Sequence, residues 1–293
     1  MLKVSIVGGR SWATKELLHV LKKVIGPHQL DIYGSSNYLT RLEWNQPAQV
    51  LKWDGKIADG TDFFFPFAFL TADKKNSMTQ EEYISENRRL IQQSQDAIEK
   101  YAPKHCLLLS SGEVSNREET SARSVDFSLY RDLKSYEEKV VSKACQESGT
   151  KLIIVRVFSV SGRFVTKPQT FAFSNFIYQA INSGEVKIET SKQTFRRYMA
   201  FGQLLEMSLK EVVNRNFGLL ESGGDLVELH DLAERVAVKF GARYVGRIES
   251  SDYERYHSRR NDFEALAKVQ NVILEDLDSQ IDSCARSMMV DSN

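Results

Sequence analysis

The chain has 293 residues, of which 42% are hydrophobic and 27% charged, an ordinary balance for a globular protein with a large core. Its 39 Lys and Arg residues offset 39 Asp and Glu residues, so charge gives no basis for binding nucleic acid or an anionic membrane surface. Three separated cysteines and five dispersed histidines exclude a disulfide framework and metal-ligand spacing; no apolar run reaches membrane-spanning length, and a reducing, cytoplasmic setting is expected.

In chain order, the run VSIV (4–7) is strand-like and meets Gly8 and Gly9, then the amphipathic stretch KELLHVLKKV. Strand, glycine turn and helix begin a dinucleotide-binding βαβ unit, because a pyrophosphate needs bare backbone N–H groups at a helix N-terminus. The usual three-glycine fingerprint is reduced to Gly8-Gly9-Arg10-Ser11-Trp12-Ala13-Thr14. Gly8 and Gly9 can supply the turn, and the Ser11 hydroxyl can donate to a phosphate. Thr14 puts a β-branched side chain where helix and strand pack closely. A strand–turn–helix without ligand is the alternative reading of this stretch.

LDIY (30–33) is the second strand-like run, followed by GSSNYLTR. A carboxylate at this strand end would accept hydrogen bonds from the ribose 2′-OH of NAD. None is present, and Ser35, Ser36 and Arg41 could accommodate a 2′-phosphate, which tilts the cofactor toward NADP(H) over NAD(H). FFFPFAFL (63–70), CLLLS (106–110) and KLIIVRVF (151–158) complete the strand-like runs, with helical patterns EEYISENRRLIQQSQDAIEKY and YRDLKSYEEKVVSKACQES between them. The phenylalanines from Phe63 to Phe69 read as buried strand. The alternation predicts an α/β fold with a doubly wound, Rossmann-type parallel sheet over residues 1–162. Ligands bind beyond the carboxyl ends of such strands, so the informative positions follow Val7, Tyr33, Leu70, Leu109 and Phe158. From residue 163 to 293 the alternation weakens. Helical stretches ending at Gly184 and Gly241, then FEALAKVQN and LEDLDSQIDSCARSMM, suggest a smaller α/β lobe for substrate, with some segments returning to the sheet.

Ser111 follows the fourth strand-like run. Tyr130 and Lys134, with three residues between them on the next predicted helix, share one face about one turn apart. An ammonium beside a phenol lowers the tyrosine pKa, so tyrosine can act as acid or base near neutral pH. A solvated face is the usual explanation of an isolated YxxxK; the order Ser, then YxxxK, after a nucleotide-type start is more specific.

These segments together resemble an extended short-chain dehydrogenase/reductase of the NAD-dependent epimerase/dehydratase type, a family acting mostly on nucleotide sugars. SSGEV resembles its Ser/Thr-containing strand end, YRDLKSYEEKV its YxxxK helix, with Glu138 at a recurring acidic position, and VRVFSVSG the segment carrying FNVYG. Asn87 in YISENRRLI and Arg196 in TFRRYMAFGQLLEM also match family positions. The resemblance implies catalysis by Ser111, Tyr130 and Lys134. It implies a cofactor site at Gly8, Gly9, Arg10, Ser11, Trp12, Ser35, Ser36, Arg41, Leu70, Asn87, Tyr130, Lys134 and Phe158. Substrate would meet Ser111, Glu113, Ser159, Asn175 and Arg196, the last near a diphosphate. The implied activity is an NAD(P)-dependent ketoreductase of nucleotide sugars, with Tyr130 as proton donor. An epimerase holding NAD tightly is an alternative, and a non-catalytic dinucleotide- or partner-binding protein of the same fold is another. A homodimer is expected by analogy with the fold.

Overall fold

The computed structural model describes residues 1–41, 47–115, 125–214 and 218–290, and within them every side chain except those of residues 41, 47, 125–127 and 290. The chain divides into two units. Met1–Arg156 with Leu205–Leu220 forms the first, and Val157–Leu204 with the residues from Glu221 onward forms the second.

The first unit is a βαβ array. Its elements are β1 (Leu2–Val7), α1 (Trp12–Ile25), β2 (His28–Gly34), β3 (Tyr38–Arg41), β4 (Pro47–Lys52), β5 (Phe63–Pro66), α2 (Gln80–Tyr101), β6 (His105–Ser111), α3 (Val125–Ser148) and β7 (Lys151–Val157). After β8 (Ser159–Ser161), α4 (Ala172–Ser183), β9 (Glu185–Lys187) and β10 (Gln193–Ala200), the chain forms α5 (Phe201–Val213) and β11 (Gly218–Glu221). Eight strands make one sheet in the order β11-β7-β6-β5-β1-β2-β4-β3. β1 pairs in parallel with β2 and with β5, so Val7 lies opposite Tyr33 on one side and Pro66 on the other. Successive strands leave β1 in opposite directions, which makes its carboxyl end the topological switch point.

Burial explains why these runs become strands. Val4, Ile6, Phe64, Leu107 and Val155 are fully buried, as in a sheet covered on both faces. Phe64, Cys106 and Leu108 pack with Ala97, Ile98, Val141 and Cys145 from α2 and α3. Three features differ from the sequence reading. The FFFPFAFL strand stops at Pro66, leaving Phe67–Leu70 as a strand-end loop. Tyr38–Arg41 and Pro47–Lys52 contribute an edge pair in which β3 runs antiparallel to β4. LVE, read as the start of a helix, is strand.

The second unit continues through β12 (Asp225–Glu228), α6 (Leu229–Phe240), β13 (Arg243–Val245), β14 (Tyr253–Tyr256), α7 (Asp262–Val269) and α8 (Leu277–Val290). β10 is flanked by β12 and β14 and also pairs with β8, while β9 pairs with β13. Phe173 and Ile177 of α4, Leu232 and Val236 of α6 and Ile281 of α8 form its core with Tyr198. Gly184 and Gly241 end α4 and α6 in the left-handed conformation, as their positions in the sequence suggest.

Candidate functional site

The carboxyl end of β1 turns at Gly8, whose φ of +107° would strain any side chain; a Cβ there would lie 2.9 Å from the Phe67 carbonyl carbon. The N–H groups of Gly8 and Gly9 both donate to the Tyr33 carbonyl, at 2.9 and 3.0 Å. Ser11 is the N-cap of α1 and its Oγ accepts the Thr14 N–H at 3.1 Å. That hydroxyl donates to Thr14 Oγ1 at 3.0 Å, and Thr14 Oγ1 donates to the Gly8 carbonyl at 2.9 Å. Thr14, fully buried, thus fits the crowded third position by bonding back to the turn. The same relay engages the Ser11 proton that sequence reading assigned to a phosphate. The Trp12 indole N–H donates to the buried carboxylate of Glu16 at 2.8 Å.

Over the end of β2 the Tyr38 ring, from the edge pair, reaches the glycine turn. A Cβ on Gly9 would stand 2.9 Å from Tyr38 Oη, and one on Gly34 would stand 3.4 Å from Tyr38 Cε1 and 3.1 Å from Val50 Cγ1. The Arg10 guanidinium lies over the same ring, 4.3 Å from its centroid. Burial pushes the Tyr38 phenol up, with Arg10 acting the other way. Ser35 and Ser36 are exposed after β2; the side chain of Arg41 lies outside the described residues.

On the other side of β1, the strand-end loop after β5 is fixed by Asn87 of α2. Its Oδ1 accepts the Leu70 N–H at 2.8 Å, and its Nδ2 donates to the Tyr83 carbonyl at 3.2 Å and the Leu70 carbonyl at 3.3 Å. Tyr83 Oη also donates to the Leu70 carbonyl, at 2.8 Å. Asn87 is fully buried, so its amide holds the loop rather than facing a ligand.

β6 ends at Ser111, which caps a single 3-10 turn containing the buried Glu113 and accepts the Glu113 N–H at 3.2 Å. Ser111 at the end of β6 and Tyr130 of α3 are neighbours, and the serine hydroxyl favours the ionised phenol. Burial outweighs it and raises the Tyr130 pKa, and Glu137, Glu113 and Asp73 push in the same direction. The expectation that Lys134 would lower this pKa is not met, and the geometry gives the reason. Lys134 Nζ donates to Glu137 Oε2 at 2.8 Å and to the Leu109 carbonyl at 3.0 Å. It also sits 3.8 Å from the centroid of Phe69, whose ring meets Tyr130 edge-on at 5.8 Å. Lys134 and Glu137 are a buried ion pair, with side chains 7% and 3% exposed. Burial raises the Glu137 pKa, and Lys134 opposes that shift. Beside them Glu138 forms a two-pronged pair with Arg156, at 2.9 and 2.7 Å.

The remaining expected positions lie in the second unit. Phe158 is buried, donates its N–H to Ser222 Oγ at 2.8 Å and meets the Tyr256 ring at a tilt, centroids 5.2 Å apart. Ser159 pairs in register with Tyr198, and Asn175 lies on α4 with its N–H bonded to the Phe171 carbonyl. Arg196 pairs with Glu254 at 2.8 Å and covers the Tyr256 ring.

Residues 6–200 match the family model described as NAD dependent epimerase/dehydratase family. The chain belongs to that family. Solved structures share its fold. A UDP-N-acetylglucosamine 4-epimerase from Methanobrevibacter ruminantium, in complex with UDP-N-acetylmuramic acid, aligns with a TM-score of 0.76 at 15% identity, covering 99% of each chain. The UDP-glucose 4-epimerase of Thermus thermophilus, in complex with NAD, aligns at 0.73 and 14% identity, covering 98% of this chain and 99% of that one. TunA, an NAD-dependent NDP-hexosamine 5,6-dehydratase of tunicamycin biosynthesis, aligns at 0.71 and 12% identity, covering 98% of this chain and 97% of the other. No curated protein sequence matches the chain. Among the described residues no helix is long and apolar enough to cross a membrane.

A family dinucleotide would lie across the switch point, its pyrophosphate at the start of α1. The glycine turn keeps the required shape. The side chains on either side do not fit such a ligand in this conformation: Tyr38 fills the space over Gly9 and Gly34, Phe69 covers Lys134, and Ser11 is bonded to Thr14. Sequence reading missed Tyr38, Phe69 and Glu137. Pro66 was the available signal for Phe69, because a proline ends a central strand and puts the next residues on the ligand side.

Proposed function

We propose that the protein acts on a nucleotide sugar, with Ser111 and Tyr130 as the pair that meets a sugar oxygen. What supports this is the place of Ser111 at the end of β6 beside Tyr130, whose phenol pKa burial raises above its ordinary value. A neutral phenol is a proton donor, and a serine hydroxyl beside it can orient an oxygen between them. Membership of the epimerase/dehydratase family supports the substrate class, as do the UDP-N-acetylmuramic acid of one fold relative and the NDP-hexosamine named for another.

Within this reading, proton donation to a keto oxygen is the ketoreductase role. A raised Tyr130 pKa favours it over the epimerase role, which begins with a tyrosine base removing a proton. Either redox role requires a dinucleotide to displace Phe69, and NADP(H) over NAD(H) rests on the polar, non-acidic segment Ser35–Ser36. The non-catalytic alternative is favoured by one specific observation, the neutralisation of Lys134 by Glu137.

Calorimetric titration with UDP-hexoses and the corresponding 4-keto sugar nucleotides, alongside NADPH and NADH consumption, tests the proposal. Saturable sugar-nucleotide binding weakened by Ser111→Ala, with turnover abolished by Tyr130→Phe, is expected of the ketoreductase. Binding without turnover selects the non-catalytic reading. Absence of sugar-nucleotide binding overturns the proposal.

A further inference from the structure

We infer that Tyr38 and Phe69 are built-in occupants of the two ends of the dinucleotide cleft, so that the protein itself holds the cleft closed. The inference rests on the family reading of the β1–α1 turn, and it concerns the cofactor rather than the sugar.

The sheet order fixes where a dinucleotide must run. β1 has β2 on one side and β5, then β6, on the other, so a ligand spanning the switch point has one end over β2 and the other over β5 and β6. Each end carries an aromatic ring of this chain. Over β2, Tyr38 packs on the two glycines that leave the strand end bare. Gly34 stands at the strand terminus where an acidic ribose partner would be sought, yet Val50 Cγ1 and Tyr38 Cε1 already lie 3.1 and 3.4 Å from its missing Cβ. A carboxylate could not be placed there without moving the ring. Arg10, exposed and adjacent to the turn, stacks on Tyr38 at 4.3 Å, a cation–π contact that adds to the closure.

Over β5 and β6, Phe69 follows the end of its strand and turns its face to Lys134 Nζ at 3.8 Å. An ammonium has three donors. Two are directed at Glu137 and Leu109, and the ring face covers the ion further. A ribose approaching this lysine meets an aromatic ring and a charge already paired. Glu137 and Phe69 therefore act together: the carboxylate balances the lysine, and the ring shields it. One ring thus takes the room beside the glycines and the other covers the charged group of the cleft.

Apparent affinity falls by the fraction of molecules that are open. Trimming the rings should therefore tighten dinucleotide binding. The experiment is calorimetry and nicotinamide fluorescence with NADPH and NADH on the wild type, Phe69→Ala, Tyr38→Ser and the double variant, each checked for a cooperative thermal transition. The expected result is weak binding by the wild type and a gain of about tenfold or more in the double variant. Micromolar binding by the wild type, or folded variants that bind no better, would overturn the inference. Proton NMR of the wild type supplies a test that needs no variant. The ε-methylene protons of Lys134 should lie upfield, shielded by the Phe69 ring, and an ordinary shift for them excludes the closed arrangement. Titration with a UDP-hexose on the same samples separates the two claims, since loss of sugar-nucleotide binding bears only on the proposed function.

Discussion

The turn after β1 and the segment from Ser111 to Lys134 depart from the family in opposite ways. The turn has lost two of its glycines and kept its shape, because Ser11 caps the helix and Thr14 bonds back to the Gly8 carbonyl. The other segment has kept its serine, tyrosine and lysine and changed their surroundings. Lys134 is bound to Glu137 and covered by Phe69, and the Tyr130 pKa is raised instead of lowered. A missing motif residue can be replaced by local hydrogen bonding, whereas a retained one can be disconnected by a single neighbouring charge.

Substitutions can break each side of this contrast. The largest effect is expected for Lys134→Met, which leaves Glu137 buried without its cation and should cost about 3–5 kcal/mol of stability, read by denaturant unfolding. A lysine exposed in an open cleft would show little change. Gly8→Ala should follow, at about 1–3 kcal/mol from the unfavourable φ, with the contact against Phe67 adding to it. Its check is the thermal midpoint, which should fall by several degrees. Thr14→Val keeps the volume and removes the bond to the Gly8 carbonyl; about 1–2 kcal/mol is expected, and a neutral result would show that the hydroxyl does not maintain the turn.

The smallest effect concerns titration. Glu137→Gln removes a negative charge that opposes ionisation of Tyr130, so the phenol pKa should move down toward its ordinary value. NMR titration of tyrosine labelled at the ring carbon next to oxygen measures this, and an unchanged or higher pKa breaks the link between the two residues. Glu137 also bears on the pH dependence of folding. Its pKa is raised in the folded state, so the folded protein binds the extra proton between the unfolded and folded pKa values. Stability from this group is greatest below the unfolded pKa and declines as pH rises through that window. Glu137→Gln should flatten this part of the stability–pH curve.

The sequence by itself determined the order of β1, α1, β2, β5, α2, β6, α3 and β7. Apolar β-branched and aromatic runs cannot remain exposed, and their alternation with amphipathic helices leaves a parallel sheet as the arrangement that buries them. It also carried the family, through SSGEV and YRDLKSYEEKV, and the ends of α4 and α6, because Gly184 and Gly241 take a backbone conformation that other residues resist. Only tertiary structure decided what those motif residues face. Tyr38 is remote in sequence from Phe69, and Phe69 from Lys134, and no local period records that an edge pair brings one ring onto Gly9 and Gly34 while a strand end brings the other onto a buried ammonium. Contacts of that kind depend on strand order and on where Pro66 ends its strand, and they set the electrostatics of Tyr130 and the room left in the cleft.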